Sequence, residues 1–81
     1  MKIEFDLTKS EKNDRERGLS FDRVADFEWE NAVFSEDGRF DPERRFLALG
    51  FIAKRLHAVI FTGVPGGIRV ISFRKANRKA V

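Results

Sequence analysis

The chain has 81 residues, which is enough for one small domain, and we predict that this domain spans residues 1–81. It contains no Cys and a single His, so disulfides and thiolate metal sites are excluded, and we predict no metal ion and no cofactor. All 13 Asp and Glu lie in the first 43 residues, which carry a net charge of −6, whereas the last 38 residues carry nine Lys and Arg and a net charge of +9.

The acid-free basic half makes a polyanion the first partner to consider, because phosphate groups meet no competing carboxylates there. The alternative is that the two halves of the chain neutralise each other in the folded protein. No apolar run reaches the ~18 residues of a membrane helix, and no signal peptide opens the chain. We therefore expect a cytoplasmic protein with no membrane partner.

The first elements in chain order are a strand and a helix. Residues 2–6 alternate polar and apolar side chains, which predicts a short edge strand. Thr8 is a suitable N-cap, and Glu11 completes a capping box. The pattern predicts a charged helix over residues 9–17, which Gly18 ends, and a solvated face is the usual role of such a helix.

A second helix and a short strand come next. Ser20 is a second candidate N-cap, and apolar residues follow it at near-helical spacing, which predicts an amphipathic helix over residues 21–29. Residues 31–35 predict a strand, and residues 36–38 predict the turn after it.

Three longer strands complete the pattern, at Arg45–Ile52, residues 56–62 and residues 68–74. Residues 53–55 predict a tight connection and residues 63–67 a hairpin loop. The loop lacks the lysine and the strand-to-helix context of a nucleotide-binding motif. The order β-α-α-β-β-β-β predicts an α+β fold in which two N-terminal helices pack on an antiparallel meander.

The meander also predicts which side chains share a face, if Ile52 pairs near Leu56 and Thr62 near Ile68. Arg45 and Arg69 then share one face and one end of the sheet, together with His57, Val59 and Phe61, while Arg74 points to the other face. Both faces are largely apolar, and the helices can cover one of them. The other face must meet a partner, a further C-terminal element or a second copy of the chain, and a one-residue bulge would change this assignment.

Four charged residues form a candidate catalytic site: Glu43, Arg45, Arg69 and Arg74. Two guanidinium groups can hold one phosphate, and Glu43 is close enough in sequence to Arg45 to act as a base toward a ribose 2′-hydroxyl. RNA cleavage of this kind needs no metal ion. The alternative for each Arg is a surface charge whose stem lies on apolar neighbours, and for His57 a buried structural imidazole.

The remaining basic residues of this half are predicted to bind RNA along its backbone; these are Lys54, Arg55, Lys75, Arg78 and Lys79.

The residues now named carry a resemblance to a known family. The chain resembles the BrnT-type toxins, a RelE-like family of bacterial type II toxin–antitoxin systems. The matching stretches, in chain order, are Lys12-Asn13, Gly18-Leu19-Ser20-Phe21, Glu43-Arg44-Arg45-Phe46 with Leu49-Gly50, residues 56–62 and residues 68–77.

The resemblance implies a RelE-like fold and a ribonuclease that inhibits translation. It also implies a ribbon-helix-helix antitoxin, a heterotetramer or larger complex with it, and contact with operator DNA through that antitoxin. Glu43, Arg45, Arg69 and Arg74 match strongly patterned charged positions of these toxins.

The chain departs from the family pattern in two places. Relatives have a His before the Gly that ends the first helix, where this chain has Arg17, and an Arg only donates and stays charged. Relatives also continue into a basic C-terminal helix with a Tyr, so we expect that helix to be truncated or absent here. Both departures favour an alternative function, a catalytically degenerate toxin that acts only by binding its antitoxin. A third hypothesis is a general RNA-binding protein.

Overall fold

The computed structural model describes residues 1–37 and 44–77. Within these residues, five strands form one sheet in the order β1-β5-β4-β3-β2. The strands are β1 (Lys2–Glu4), β2 (Val33–Asp37), β3 (Arg45–Ile52), β4 (Arg55–Val64) and β5 (Gly67–Lys75). Helix α1 (Leu7–Arg17) and two short 3₁₀ helices, Phe21–Asp26 and Trp29–Asn31, lie between β1 and β2.

The predicted α+β class is confirmed, but two details of the predicted architecture are wrong. The sheet is mixed, because β1 pairs in parallel with β5 through Ile3 and Ile68, whereas β2 to β5 pair antiparallel. The second predicted helix is two short 3₁₀ helices, so the expected pair of RelE-like helices is also wrong. Phe21, Val24 and Phe27 are buried at a spacing of three residues, which matches the three residues per turn of a 3₁₀ helix.

Helix α1 begins two residues before the predicted start. The Asp6 carboxylate accepts a hydrogen bond from the Lys9 backbone N–H at 3.0 Å, so Asp6 rather than Thr8 is the N-cap. At the other end the prediction is confirmed: Gly18 adopts a left-handed φ of 66°, and its N–H donates to the Asp14 carbonyl at 2.8 Å.

The strand connections are shorter than the sequence predicts. The predicted connection at residues 53–55 narrows to Ala53 and Lys54, and the predicted loop at residues 63–67 narrows to a turn at Pro65 and Gly66. Strand β2 begins two residues later than predicted, so the predicted turn residues Glu36 and Asp37 belong to the strand. The last predicted turn residue, Gly38, lies outside the described residues. Residues 78–81, where the C-terminal helix is expected to be truncated or absent, also lie outside them.

The strand register differs from the predicted one by a single residue in each hairpin. Ile52 pairs with Arg55, and Thr62 pairs with Arg69. Between β4 and β5 the register then shifts again at a bulge, where Phe61 pairs with Val70 and Ile60 with Ser72, which leaves Ile71 without a partner on β4. Directly paired residues share a face, so the positions of all later β5 side chains follow from this bulge.

The core lies on one face of the sheet, where the segment between α1 and β2 packs against the strands. Its buried members are Leu19, Phe21, Val24, Phe27, Ala48, Ile52, Val59, Ile68, Val70 and Phe73. Burying each large side chain stabilises the fold by roughly 1.5–3 kcal/mol. The irregular segment is therefore held mainly by its four buried side chains, Leu19, Phe21, Val24 and Phe27, rather than by helix propensity.

Two polar side chains of α1 connect this helix to the core. The Asn13 amide donates to the Leu19 carbonyl at 2.7 Å and to the Phe73 carbonyl at 2.8 Å, and the Ser10 hydroxyl accepts from the Phe21 N–H at 2.8 Å. Asn13 thus satisfies a carbonyl of β5 beyond the end of the three-residue strand β1. The Lys12-Asn13 stretch of the family resemblance has this structural role at Asn13.

One close approach sets how deeply the segment packs. A Cβ atom at Gly50 would lie 2.7 Å from the Phe27 Cζ and 3.2 Å from the Ala32 Cβ. The Phe27 ring cannot retreat easily, because it packs edge-on against Trp29 with a centroid separation of 4.7 Å.

We expect Gly50→Ala to lower the free energy of unfolding by about 1–3 kcal/mol, since the added methyl group overpacks the site between Phe27 and Ala32. Gly63→Ala is the matched control, because a Cβ at Gly63 in the neighbouring strand meets nothing within 4 Å. Urea denaturation of both variants measures the difference. Equal stability of the two variants would contradict the close packing at Gly50.

Candidate functional site on the open face

The sheet has a second face, opposite the core, which we call the open face. Strand pairing defines it as three rows of residues that run across the sheet. The rows are Val33, Leu49, Ala58 and Arg74; Ser35, Leu47, Ile60 and Ser72; and Asp37, Arg45, Thr62, Arg69 and Glu4. Phe51 and Leu56 pair beyond the first row. The open face therefore has an aliphatic centre and arginines at its margins.

Arg45, Thr62 and Arg69 lie side by side on β3, β4 and β5, and we call this group the arginine end. Thr62 pairs with Arg69, and Arg45 lies beside Thr62 because it precedes the pair formed by Phe46 and Phe61. Adjacent strands lie ~4.8 Å apart, so the two arginine backbones are about 10 Å apart with Thr62 between them. This spacing lets both guanidinium groups reach one phosphate above Thr62. The prediction that Arg45 and Arg69 share a face and an end is confirmed.

Thr62 was not among the predicted site residues, although it holds the start of β3 in place. Its hydroxyl donates to the Arg44 carbonyl at 2.8 Å, one residue before Arg45. A lone Thr at a strand position carries no sequence signal for such a role. Only the register of β3 against β4 brings it between the two arginines.

In the part of the chain that the structure describes, ion pairs join N-terminal acids to the basic half. Arg44 binds both carboxylate oxygens of Glu36, at 2.9 and 3.2 Å, and lies 5.6 Å from the centre of the Phe46 ring. This hydrogen bond and the charge of Arg44 lower the pKa of the Glu36 carboxyl. Arg44 therefore forms an ion pair with Glu36. The charges of the two halves neutralise each other at this pair.

Arg69 also has an acidic neighbour, because the parallel pairing of β1 with β5 places Glu4 opposite it. The Arg69 Nη2 and the Glu4 Oε1 are 3.9 Å apart, and about half of the Arg69 side chain is exposed. An exposed pair at this distance is weak, so a phosphate can replace the carboxylate.

Arg74 lies on the open face, and the prediction that it points to the other face is wrong. The bulge at Ile71 adds one residue to β5, so Arg74 pairs with Ala58 and faces the same way as Arg69. Thr62 lies four positions after Ala58 on β4, which at ~3.3 Å per residue places Arg74 about 13 Å from the arginine end. Arg74 cannot contact the same phosphate as Arg45 and Arg69, but it can contact a phosphate farther along the same strand of RNA.

The other predicted RNA-binding residues lie near Arg74 rather than near the arginine end. Lys54 forms part of the β3–β4 turn, Arg55 pairs with Ile52, and Lys75 pairs with His57. Glu43, Arg78 and Lys79 lie outside the described residues, so the structure does not test their predicted roles.

Arg17, which departs from the pattern that the family resemblance implies, lies at the end of α1. It lines a groove between α1 and β5 with Lys12, Asn13 and Ser72. Ser72 is an open-face residue between Arg69 and Arg74. The groove therefore adjoins the open face at Ser72, and its charged lining is Lys9, Lys12 and Arg17 with one acid, Glu16.

His57 faces the core, and its predicted place on the face of Arg45 is wrong because β4 pairs one residue away from the predicted register. It is 3% exposed, its Nδ1 lies 2.7 Å from the Arg55 carbonyl, and its ring lies 5.7 Å from that of Phe73. Burial lowers the pKa of His57, and the charges of Lys75, Arg23 and Arg55 lower it further, while the hydrogen bond to Arg55 raises it. A neutral structural imidazole fits this position.

In residues 1–37 and 44–77, no helix is long and apolar enough to cross a membrane. The same residues contain no group of three or more His, Asp and Glu side chains that could hold a metal ion. Residues 5–80 match a family model described as the ribonuclease toxin, BrnT, of a type II toxin–antitoxin system. No curated protein sequence matches the chain with significance.

We expect the free energy of unfolding to fall as the pH drops from about 7 to 5. The unfolded imidazole binds a proton near pH 6.5, whereas the folded one has a lowered pKa, so protonation favours the unfolded state in this range. His57→Gln should remove most of this slope, because the chain contains a single His. Urea denaturation at several pH values measures it, and an unchanged slope in the variant would contradict a buried neutral imidazole.

Proposed function

The chain belongs to the BrnT family of ribonuclease toxins of type II toxin–antitoxin systems, and we propose that it cleaves RNA without a metal ion at the arginine end of the open face. The observation that carries this proposal is the placement of Arg45 and Arg69 on either side of Thr62, on one face and at one end of the sheet. Cleavage of messenger RNA in the cytoplasm would inhibit translation.

The proposed reaction is an attack of the ribose 2′-oxygen on the adjacent phosphorus. Arg45 and Arg69 hold the non-bridging oxygens and stabilise the negative charge that develops on them. Glu43, two residues before Arg45 in the sequence, accepts the 2′-hydroxyl proton. The bond to the 5′-oxygen breaks, the 5′-oxygen takes a proton from water, and a 2′,3′-cyclic phosphate remains.

Arg74 and the nearby basic residues have a separate role in this proposal. At about 13 Å from the arginine end, Arg74 is two phosphates away along single-stranded RNA if successive phosphates lie about 6–7 Å apart, as in an extended backbone. Lys54, Arg55, Lys75, Arg78 and Lys79 add non-specific attraction for the backbone. Arg74 would thus set where the RNA lies rather than stabilise the reacting phosphate.

The family name implies an antitoxin partner. We propose that this antitoxin has a ribbon-helix-helix DNA-binding part, that it forms a heterotetramer or larger complex with the toxin, and that the complex contacts operator DNA through the antitoxin.

We expect purified protein to cleave single-stranded RNA in the presence of EDTA. Arg45→Ala and Arg69→Ala should each reduce kcat on the order of 10²-fold, because each removes a donor to the charge that develops on the phosphate. Glu43→Ala should reduce kcat and flatten the acidic limb of the pH profile. Arg74→Ala should mainly raise KM. Single-turnover cleavage of a labelled oligonucleotide measures these effects.

Arg23→Ala is the matched control, since Arg23 is an exposed arginine paired with Asp26 at 3.6 Å in the segment that covers the core face. Full cleavage by both Arg45→Ala and Arg69→Ala would remove the proposed site. Loss of wild-type cleavage in EDTA that magnesium restores would contradict the metal-independent reaction.

A second candidate function is a catalytically degenerate toxin that only binds its antitoxin. One observation favours it: Glu4 lies 3.9 Å from Arg69, where it competes with a substrate phosphate. The family resemblance also favours it, since it implies a His at the position of Arg17. This function predicts tight antitoxin binding without growth arrest on expression. Growth arrest that coexpression of the antitoxin relieves would exclude it, and Glu4→Gln should increase cleavage if the acid is an obstacle.

A further inference from the structure

The centre of the open face is aliphatic, whereas the aromatic side chains gather on the core side. Trp29, Phe34 and Phe61 pack together with centroid separations of 5.5–6.5 Å on the core side of β2 and β4. Phe51, which is 42% exposed and pairs with Leu56 beyond the first row, is the one aromatic side chain among the open-face residues that strand pairing defines. Bases of single-stranded RNA stack on aromatic rings, so a mainly aliphatic surface fits a protein segment better than nucleotides.

A pocket of about 710 Å³ lies at one end of this surface, at the β3–β4 turn. Val33, Leu49, Phe51 and Leu56 supply its apolar lining, and Lys54 and Arg55 supply its charge. Val33 is 66% exposed, which is unusual for a large apolar residue on a strand. The pocket can hold one large apolar side chain, with a carboxylate of the same segment beside the two cations.

The turn at this pocket has a strained backbone. Ala53 and Lys54 have φ values of 46° and 69°, and non-glycine residues adopt this left-handed region at a cost. Hairpin turns with two positive φ values favour Asn-Gly, because these residues relieve that cost. Lys54 thus has a backbone conformation that favours Gly, while its side chain lines the pocket. A Lys at a position that favours Gly indicates that its side chain has a function.

The size of the surface limits what can cover it. With strands ~4.8 Å apart and rows ~6.7 Å apart, the aliphatic centre measures about 15 by 15 Å. One amphipathic helix, which is about 10–12 Å wide and rises 1.5 Å per residue, covers this length in about three turns. A sheet face of this kind buries its apolar side against a helix or another sheet.

The charges at the margin decide the chemistry of that helix. Arg45, Arg69 and Arg74 lie on the open face itself, and Lys54 and Arg55 lie at the pocket. Asp37 and Glu4 lie beside Arg45 and Arg69, so the described cations of this surface outnumber its acids by five to two. Two copies of this face packed on each other would bring these cations together in a symmetric interface, which disfavours a second copy of the chain. A segment with Asp and Glu on either side of an apolar stripe is complementary to this surface.

We propose that the open face is the docking surface for an acidic amphipathic helix of the antitoxin, which places one large apolar side chain in the pocket between Leu49 and Leu56 and an adjacent carboxylate at Lys54. This proposal rests on the proposed function for its partner. The same helix lies across Arg74 and ends near Arg45 and Arg69, so it excludes RNA from the arginine end by occupying the face rather than by distorting it.

The test uses the full chain and the antitoxin encoded by the adjacent reading frame, with affinity measured by calorimetry. Val33→Lys and Leu49→Lys should each weaken binding by about 30-fold or more, since each puts a charge against the apolar side of the helix. Leu7→Lys is the matched control, because Leu7 is 70% exposed on α1 and not part of the open face. Because Val33 is largely exposed, Val33→Lys should fold even if Leu49→Lys does not, and it then tests the docking surface alone.

The β3–β4 turn supplies a second test, which distinguishes a binding role of Lys54 from a purely structural one. The double variant Ala53→Asn with Lys54→Gly should raise the Tm by about 4 °C or more, because it removes the strain of two positive φ values. It should also weaken antitoxin binding by about 10-fold, because the cation at the pocket is lost. A higher Tm with unchanged affinity would overturn the assignment of Lys54.

Several outcomes contradict the docking surface. Antitoxin affinity that is unchanged in both Val33→Lys and Leu49→Lys would overturn it. A wild-type dimer in sedimentation that these variants dissociate would assign the face to a second copy, and a loss of RNA affinity with intact antitoxin binding would assign it to RNA. Failure of the wild type to cleave RNA, with antitoxin binding that Val33→Lys weakens, would remove the proposed catalysis and leave the docking surface in place.

Discussion

The pairing register of the last three strands is the constraint on which the rest of this structure depends. Because side chains alternate between faces, a shift of one residue moves every later side chain to the opposite face. Each of the two hairpins turns through only two residues, which sets the register of β3, β4 and β5. The bulge at Ile71 then changes that register once, so Val59 pairs with Phe73 in the core while Ala58 pairs with Arg74 on the open face.

This arrangement divides the apolar residues between two tasks. Phe27, Trp29 and Phe61 fill the volume beneath an irregular segment that has little helix of its own, and Gly50 provides the space for the Phe27 ring. The open face has smaller aliphatic side chains around Leu49 and Ile60, beside the pocket at the β3–β4 turn. A chain of this size has a small core, and an apolar face left in water is a cost that a bound partner would remove.

The fold brings acids of the N-terminal half next to arginines of the C-terminal half. Glu36 returns to Arg44 across the β2–β3 pair, and Glu4 returns to Arg69 across the parallel β1–β5 pair. Within residues 1–37 and 44–77, these contacts place acids of the first half beside Arg44 and Arg69 of the second half. The open face still presents Arg74 about 13 Å from Arg69, a separation that suits extended polyanions and acidic helices alike.

The sequence by itself determined the α+β class, the bounds of β3, the helix end at Gly18 and the family, because alternation, a left-handed cap and ordered motifs are local signals. It also predicted that Arg45 and Arg69 share a face, although this rested on two one-residue register errors that cancelled. Only the tertiary structure decided the face of Arg74, the core position of His57, the parallel pairing of β1 and the place of Thr62. These depend on a bulge, on two-residue turns and on contacts between distant segments, and a single sequence has no local pattern that encodes them.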